Sequence, residues 1–211
     1  MKFIREILII LFLFASSAAG VFAAVGCDLN DPDRDVKRLF PDSSGYKTLY
    51  VSLKDKGGPA LQGVIEKRLG DKFRGIYENV DVPYTIYEIY KGKEKTGYIH
   101  GVNQKGVYGG IQVFLSLDLK GVIKAFYIQK LTSRQASALR SAGFAKQFVN
   151  LSLKEFNNYD IGANKFKGSA PAPSLSSPSL KADADFRAIL RAVKKNLILM
   201  DEFVYNIKGG N

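Results

Sequence analysis

The sequence predicts an α+β fold: an antiparallel β-meander packed with helices and preceded by an N-terminal signal or anchor segment. Three observations predict it. Aromatic and β-branched residues run and alternate through residues 84–129, with Gly-containing turns between the runs. Apolar residues return at helical spacing within 61–69, 134–149 and 186–197. An uncharged stretch from Ile7 to Cys27 follows a head that carries Lys2 and Arg5.

The N-terminal segment is read first. Its apolar density peaks over residues 7–14 and thins into Ala, Ser and Gly, as a signal peptide does toward its cleavage site. Three endings remain open. Cleavage can follow Val21-Phe22-Ala23, lipid can be attached at Cys27 of Ala24-Val25-Gly26-Cys27, or the segment can stay uncut, since 21 uncharged residues approach the roughly 20 that span a bilayer. Lipidation of Cys27 is the favoured ending. The tetrapeptide resembles a bacterial lipobox, with Ala24 where that pattern usually has Leu, and Asp28 then resembles a signal for retention at the inner membrane. The expected location is the periplasmic face of that membrane, or membrane-anchored. Cys27 is the single cysteine, so an intramolecular disulfide and a thiolate metal cluster are excluded.

Residues 27–45 are rich in Asp, Pro and Ser and read as a tether, with one domain over 46–211. Leu61, Val64, Ile65 and Leu69 lie at helical spacing between Gly58-Pro59 and Gly70, which supply boundaries. The run from Tyr84 to Tyr90 and the segment Thr96 to His100 form a hairpin across the 91–95 turn. Ile111, Val113, Leu115 and Leu117 share one strand face, Asp118-Leu119-Lys120-Gly121 turns the chain, and Val122 to Gln129 returns. Four strands are expected. Thr132-Ser133 is a candidate cap for one helix over 134–149. A Pro/Ser/Ala loop over 168–179 is too long for a simple turn. Phe186, Ile189, Leu190, Val193 and Leu197 mark the buried face of a terminal helix that also carries Lys194 and Lys195.

Composition narrows the function. Removing residues 1–26 takes away Lys2, Arg5 and Glu6, which lowers the formal charge of +11 by one to +10. Such a charge favours an anionic partner: a lipid surface, a phosphate-bearing cofactor or an acidic protein. The cations are scattered and no nucleic-acid-binding signature occurs, so nucleic acid is not an expected partner. His100 is the only histidine. It stands without a nucleophile-elbow pattern and reads as a packing or surface residue. Zinc spacings and calcium loops are missing from the sequence, so no catalytic residue and no metal site is predicted.

Gly106-Val107-Tyr108-Gly109-Gly110-Ile111, the alternating strand, and Asp118-Leu119-Lys120-Gly121-Val122-Ile123 together resemble the FMN-binding domain of flavin-carrying subunits in Rnf- and Nqr-type complexes. That domain has a Gly-Tyr-x-Gly-x-Ile lead into its strand and an Asp-x-x-Gly-x-Ile hairpin. The resemblance spans residues 84–197. It implies FMN as cofactor, Tyr108, Gly109 and Gly110 against the ring, and Ser176 and Ser177 with the start of the terminal helix toward the phosphate. It also implies electron transfer with a redox protein partner, rather than a stand-alone enzyme. Two departures stand out. Leu131-Thr132-Ser133-Arg134-Gln135 replaces the family's His-x-Glu-Thr-Pro, and no Ser/Thr-Gly-Ala-Thr attachment motif precedes the terminal helix, so the expected flavin is non-covalent. The alternative is a non-catalytic binding or scaffold lipoprotein with the same fold and no flavin.

Overall fold

The computed structural model describes residues 26–78, 80–168 and 173–206. Residues 1–25 of the signal or anchor segment lie outside the described residues. The fold is α+β, as expected: a five-stranded antiparallel sheet in the order β1-β2-β3-β4-β5 with helices against it. The strands are β1 (Gly45–Val51), β2 (Tyr84–Lys91), β3 (Glu94–Lys105), β4 (Gly110–Asp118) and β5 (Ile123–Leu131). β2 to β5 are the expected meander. β1 is an addition: it pairs along β2 from Gly45↔Tyr90 to Val51↔Tyr84, and none of its residues is fully buried, so it lacks the alternation that marks the inner strands.

The principal core lies between one sheet face and the helices. Ile111, Val113, Leu115 and Leu117 of β4 and Ile86 of β2 are fully buried there. Across them packs α7 (Asp183–Met200), a helix whose residues Ile189–Met200 are all buried. The helix over 58–69, α3 (Gly58–Leu69), lies beside α7 and buries Ile65 and Leu69, while Val64 faces solvent. Its end is set by Gly70 in the left-handed region (φ 76°), which a glycine adopts at little cost.

The expected single helix over 134–149 is instead two short ones, α4 (Ala136–Leu139) and α5 (Ala142–Lys146). The break has a local cause. Arg140 turns back to donate from Nε to Ile128 O (3.1 Å) and from Nη2 to Gln129 O (2.9 Å), satisfying two carbonyls of edge strand β5. Ser141 then caps α5 by accepting from Phe144 N (3.2 Å). Phe144 and Phe148 point inward, and Phe148 stacks on Phe126 with ring centroids 4.2 Å apart.

Residues 27–45 are not a tether. Asp31 accepts from Arg34 N (3.2 Å) and caps α1 (Pro32–Leu39), whose Val36 and Leu39 are buried against the second sheet face. Cys27 and Leu29, with Tyr87, Ile89, Ile99 and Phe114 of the sheet, complete this smaller core. Phe114, which interrupts the alternation of β4, is buried on this side. Its ring occupies the space above Gly101, where a Cβ would come within 2.3 Å. Long-range hydrogen bonds fasten the segment: Leu29 N donates to Tyr87 OH (3.1 Å) and Gln129 Nε2 to Asp28 O (2.8 Å). The described elements also include α2 (Leu53–Lys56), α6 (Leu153–Asn157), the ribbon of β6 (Tyr159–Asp160) with β7 (Lys165–Phe166), and three short helical turns, Gly75–Tyr77, Leu180–Ala182 and Asp201–Tyr205. Among the described residues no helix is long and apolar enough to cross a membrane.

Candidate functional site

The sequence-predicted ring site lies at the β3–β4 turn. Gly106 N donates to Gly109 O (2.7 Å), closing the turn, and Val107 and Tyr108 at its tip are 53% and 55% exposed. Gly109 is needed as glycine on two counts. Its φ is +154°, and a Cβ would lie 3.1 Å from Thr132 Oγ1. A Cβ on Gly110 would press on the Tyr77 ring at 3.0 Å. Arg134 sits with its guanidinium 5.6 Å from the Tyr108 ring centroid. The structure thus brings Tyr108, Gly109 and Gly110 together with Thr132 and Arg134, two residues of the very segment that departs from the family pattern.

Ser176 and Ser177 have their own partners. Gln147 Oε1 accepts from both Ser176 N (2.8 Å) and Ser176 Oγ (3.3 Å), and Ser177 Oγ donates to Ser179 O (2.7 Å). The start of α7 also differs from the expected phosphate receptor. Its first turn holds Asp183 and Asp185, and Asp185 Oδ1 already accepts the Val107 N–H (2.9 Å). Two carboxylates supply the negative charge that a helix N-terminus favours, so a phosphate there would meet repulsion. Among the described residues, the turn is where an aromatic face, Tyr108, stands beside a hydroxyl, Thr132 Oγ1, and a guanidinium, Arg134, the groups that a flavin ring and its phosphate would need. A bound flavin supplies one- and two-electron transfer. These residues would hold and orient it.

Beneath the turn, α7 carries a buried polar cluster that sequence reasoning missed. Arg191 is 4% exposed. It donates to Asp71 Oδ2 (2.7 Å), to Glu78 Oε1 and Gln104 Oε1 (both 2.6 Å), and to Lys72 O (2.9 Å). Lys195, fully buried, donates to Glu78 Oε1 (2.5 Å) and Asn103 O (2.6 Å). Two cations thus face two carboxylates. Burial drives the Lys195 ammonium down to about 8 despite Glu78. Glu78 is held below the usual range because the pull of Lys195 and Arg191 outweighs its burial. The available signal was the Arg191, Lys194 and Lys195 cations inside the run 188–200, which is apolar apart from them and Asn196. A charge there has to be matched from elsewhere in the fold.

His100 is a packing residue, fully buried beside Tyr84. Its Nδ1 lies 2.8 Å from Asn196 Oδ1, and Asn196 Nδ2 donates to His100 O (2.9 Å). Asn196 Oδ1 can only accept, so Nδ1 carries the proton and Nε2 is left without a partner. Burial drives the imidazole down to about 4 from 6.5. The unfolded chain takes up a proton below 6.5 that the folded chain refuses until about 4. Stability contributed by neutral His100 is therefore full above pH 6.5 and lost as pH falls, by roughly 3 kcal/mol in all. Urea midpoints measured between pH 6.5 and 5, above most carboxylate titration, should fall in the native chain and flatten in His100→Gln. An equal slope in both would assign the acid loss elsewhere.

Cys27 is 4% exposed in the second core, and burial pushes its thiol up. The cleft of 420 Å³ between α1 and β5 has Arg38 and Arg140 at its sides, but Arg38 stacks on Tyr127 (3.6 Å) and pairs with Asp35 (3.2 Å), while Arg140 holds the β5 carbonyls. Among the described residues no cluster of three His, Cys, Asp or Glu side chains is placed to hold a metal. The sequence matches no protein-family model and no curated protein.

Proposed function

We propose that this chain is an extracytoplasmic, membrane-associated protein that binds FMN non-covalently and takes part in electron transfer. The observation that carries the reading is the exposed Tyr108 on its glycine turn with Thr132 and Arg134 alongside. An aromatic face, close backbone and a cation are what an isoalloxazine ring with a phosphate tail requires. The turn also coincides with the sequence motif that resembles flavin-carrying subunits. Titration of FMN into the purified chain should quench flavin fluorescence saturably, and Tyr108→Ala should weaken binding about tenfold, ~1.4 kcal/mol. Saturable binding that Tyr108→Ala leaves unchanged would remove the turn from the site.

The carboxylates at the start of α7 and the self-contained pairing of Ser176 and Ser177 favour the second reading, a flavin-free binding or scaffold protein on the same fold. Absence of any FMN uptake would select it. Anchorage has two forms to separate. A diacylglyceryl group on the buried Cys27 Sγ requires residues 27–30 to lift from the sheet, whereas an uncut segment leaves them in place. Cys27→Ser should release the chain to the soluble fraction if lipid holds it, and leave it with the membrane if the uncut segment does.

A further inference from the structure

The N-terminal segment meets the fold at the same end of the sheet as the Tyr108 turn. Asn103 Nδ2 donates to Gly26 O (3.3 Å), and Asn103 lies three residues before Gly106 and in register with Gln112. The first turn of α7 is tied to that end as well, through Val107 N and Asp185 Oδ1. The short helix Leu180–Ala182 runs directly into α7 and presents Leu180, 97% exposed. This end therefore displays Val107, Tyr108 and Leu180, with exposed Lys105, Lys130, Arg134 and Lys181 around them. Among the described residues, none of these four cations is in an ion pair within 4.0 Å.

We infer that this end docks on an anionic phospholipid surface. The inference rests on the uncut form of the membrane-anchored reading above. A chain held in a bilayer through residues before Gly26 has its β3–β4 end nearest the lipid by connectivity alone. That end carries what an interface takes up: an aliphatic residue and a tyrosine at a turn tip, a second aliphatic beside them, and unpaired cations for lipid phosphates. The β4–β5 turn, with Leu119, stands at the other end of β4, roughly 30 Å away for nine residues of strand. Docking in this way sets the candidate flavin turn at the membrane surface, within reach of an embedded redox partner.

The native chain has no tryptophan, so single-tryptophan variants report depth directly. Full-length Val107→Trp and Leu119→Trp are reconstituted into vesicles of phosphatidylcholine and phosphatidylglycerol with brominated acyl chains. The expected result is at least threefold stronger quenching of Val107→Trp than of Leu119→Trp, collapsing when Lys105, Lys130 and Lys181 are all changed to Gln. Chain that floats with the vesicles while both tryptophans are quenched equally, or neither is, overturns the docking and leaves the anchor standing. Unequal quenching that persists in the triple variant overturns the assignment to anionic lipid. Chain that fails to float at all overturns the anchor, and the docking with it.

Discussion

Arg191→Met is expected to destabilise the fold by ~3–5 kcal/mol. The guanidinium is almost fully buried and makes charge-assisted bonds to Asp71 and Glu78 while also holding Gln104 and the Lys72 carbonyl. Methionine removes these donors and keeps most of the volume, so packing loss contributes little. Glu78, 5% exposed, would keep Lys195 and the Arg74 N–H (2.7 Å), and Asp71 the exposed Arg74, while Gln104 Oε1 and the Lys72 carbonyl would lose the guanidinium. Each carboxylate is then short of one charge-assisted donor in a site largely closed to water, and that under-compensation costs more than the loss of the pair's own attraction. The cluster also joins elements far apart in sequence, since Asp71 and Glu78 belong to the 71–78 segment and Arg191 to α7. Urea unfolding should show a lower midpoint with an unchanged slope. A loss below ~1 kcal/mol would mean that water reaches the cluster and screens it as at a surface.

Phe148→Ala should cost a similar ~3–5 kcal/mol by a different route. Phe148 is fully buried, stacked on Phe126 at 4.2 Å and edge-on to Phe144 at 5.4 Å, and Phe144 in turn meets Phe186 of α7. The ring therefore links β5, the α4–α5 segment and α7. α5 is only five residues long, too short to be stable by itself, so it is held by these rings rather than by its backbone bonds. The cavity left by alanine cannot be filled by a rigid strand on one side and an 18-residue helix on the other. Thermal unfolding of Phe148→Ala should move well down, whereas Val64→Ala, on the exposed face of α3, should barely move. Near-equal values would indicate that the α4–α5 segment rearranges to fill the space.

How much of this was legible in the sequence depends on whether the partner is near in the chain. Ile111, Val113, Leu115 and Leu117 declared a strand because each is two residues from the next, and all four are buried as expected. The buried face of α7 was equally plain from Phe186 to Leu197. Residues 27–45 misled because Asp, Pro and Ser surround only two well-buried apolar residues of α1, Val36 and Leu39. Their attachment runs through Tyr87 OH and Gln129, 58 and about 100 residues away. The helix over 134–149 broke because Arg140 is drawn to edge carbonyls of β5, a demand set by the sheet and invisible in helical periodicity. At the candidate site, Tyr108, Gly109 and Gly110 were picked out by the resemblance of their motif, and the structure places them on one turn whose glycines are held by distant Thr132 and Tyr77. The Arg191–Glu78–Lys195 cluster was not legible, because its carboxylates come from more than 110 residues earlier. Ser176 and Ser177 were selected by analogy with an attachment loop, and their hydrogen bonds are local to that loop and to Gln147.

The most direct test of the flavin reading is the visible absorption spectrum of the chain purified from an exporting host that has flavin-transfer machinery, followed by acid precipitation. The account predicts a flavin band that is released by acid and restored when FMN is added to the refolded protein. A colourless protein that also fails to take up added FMN would contradict it.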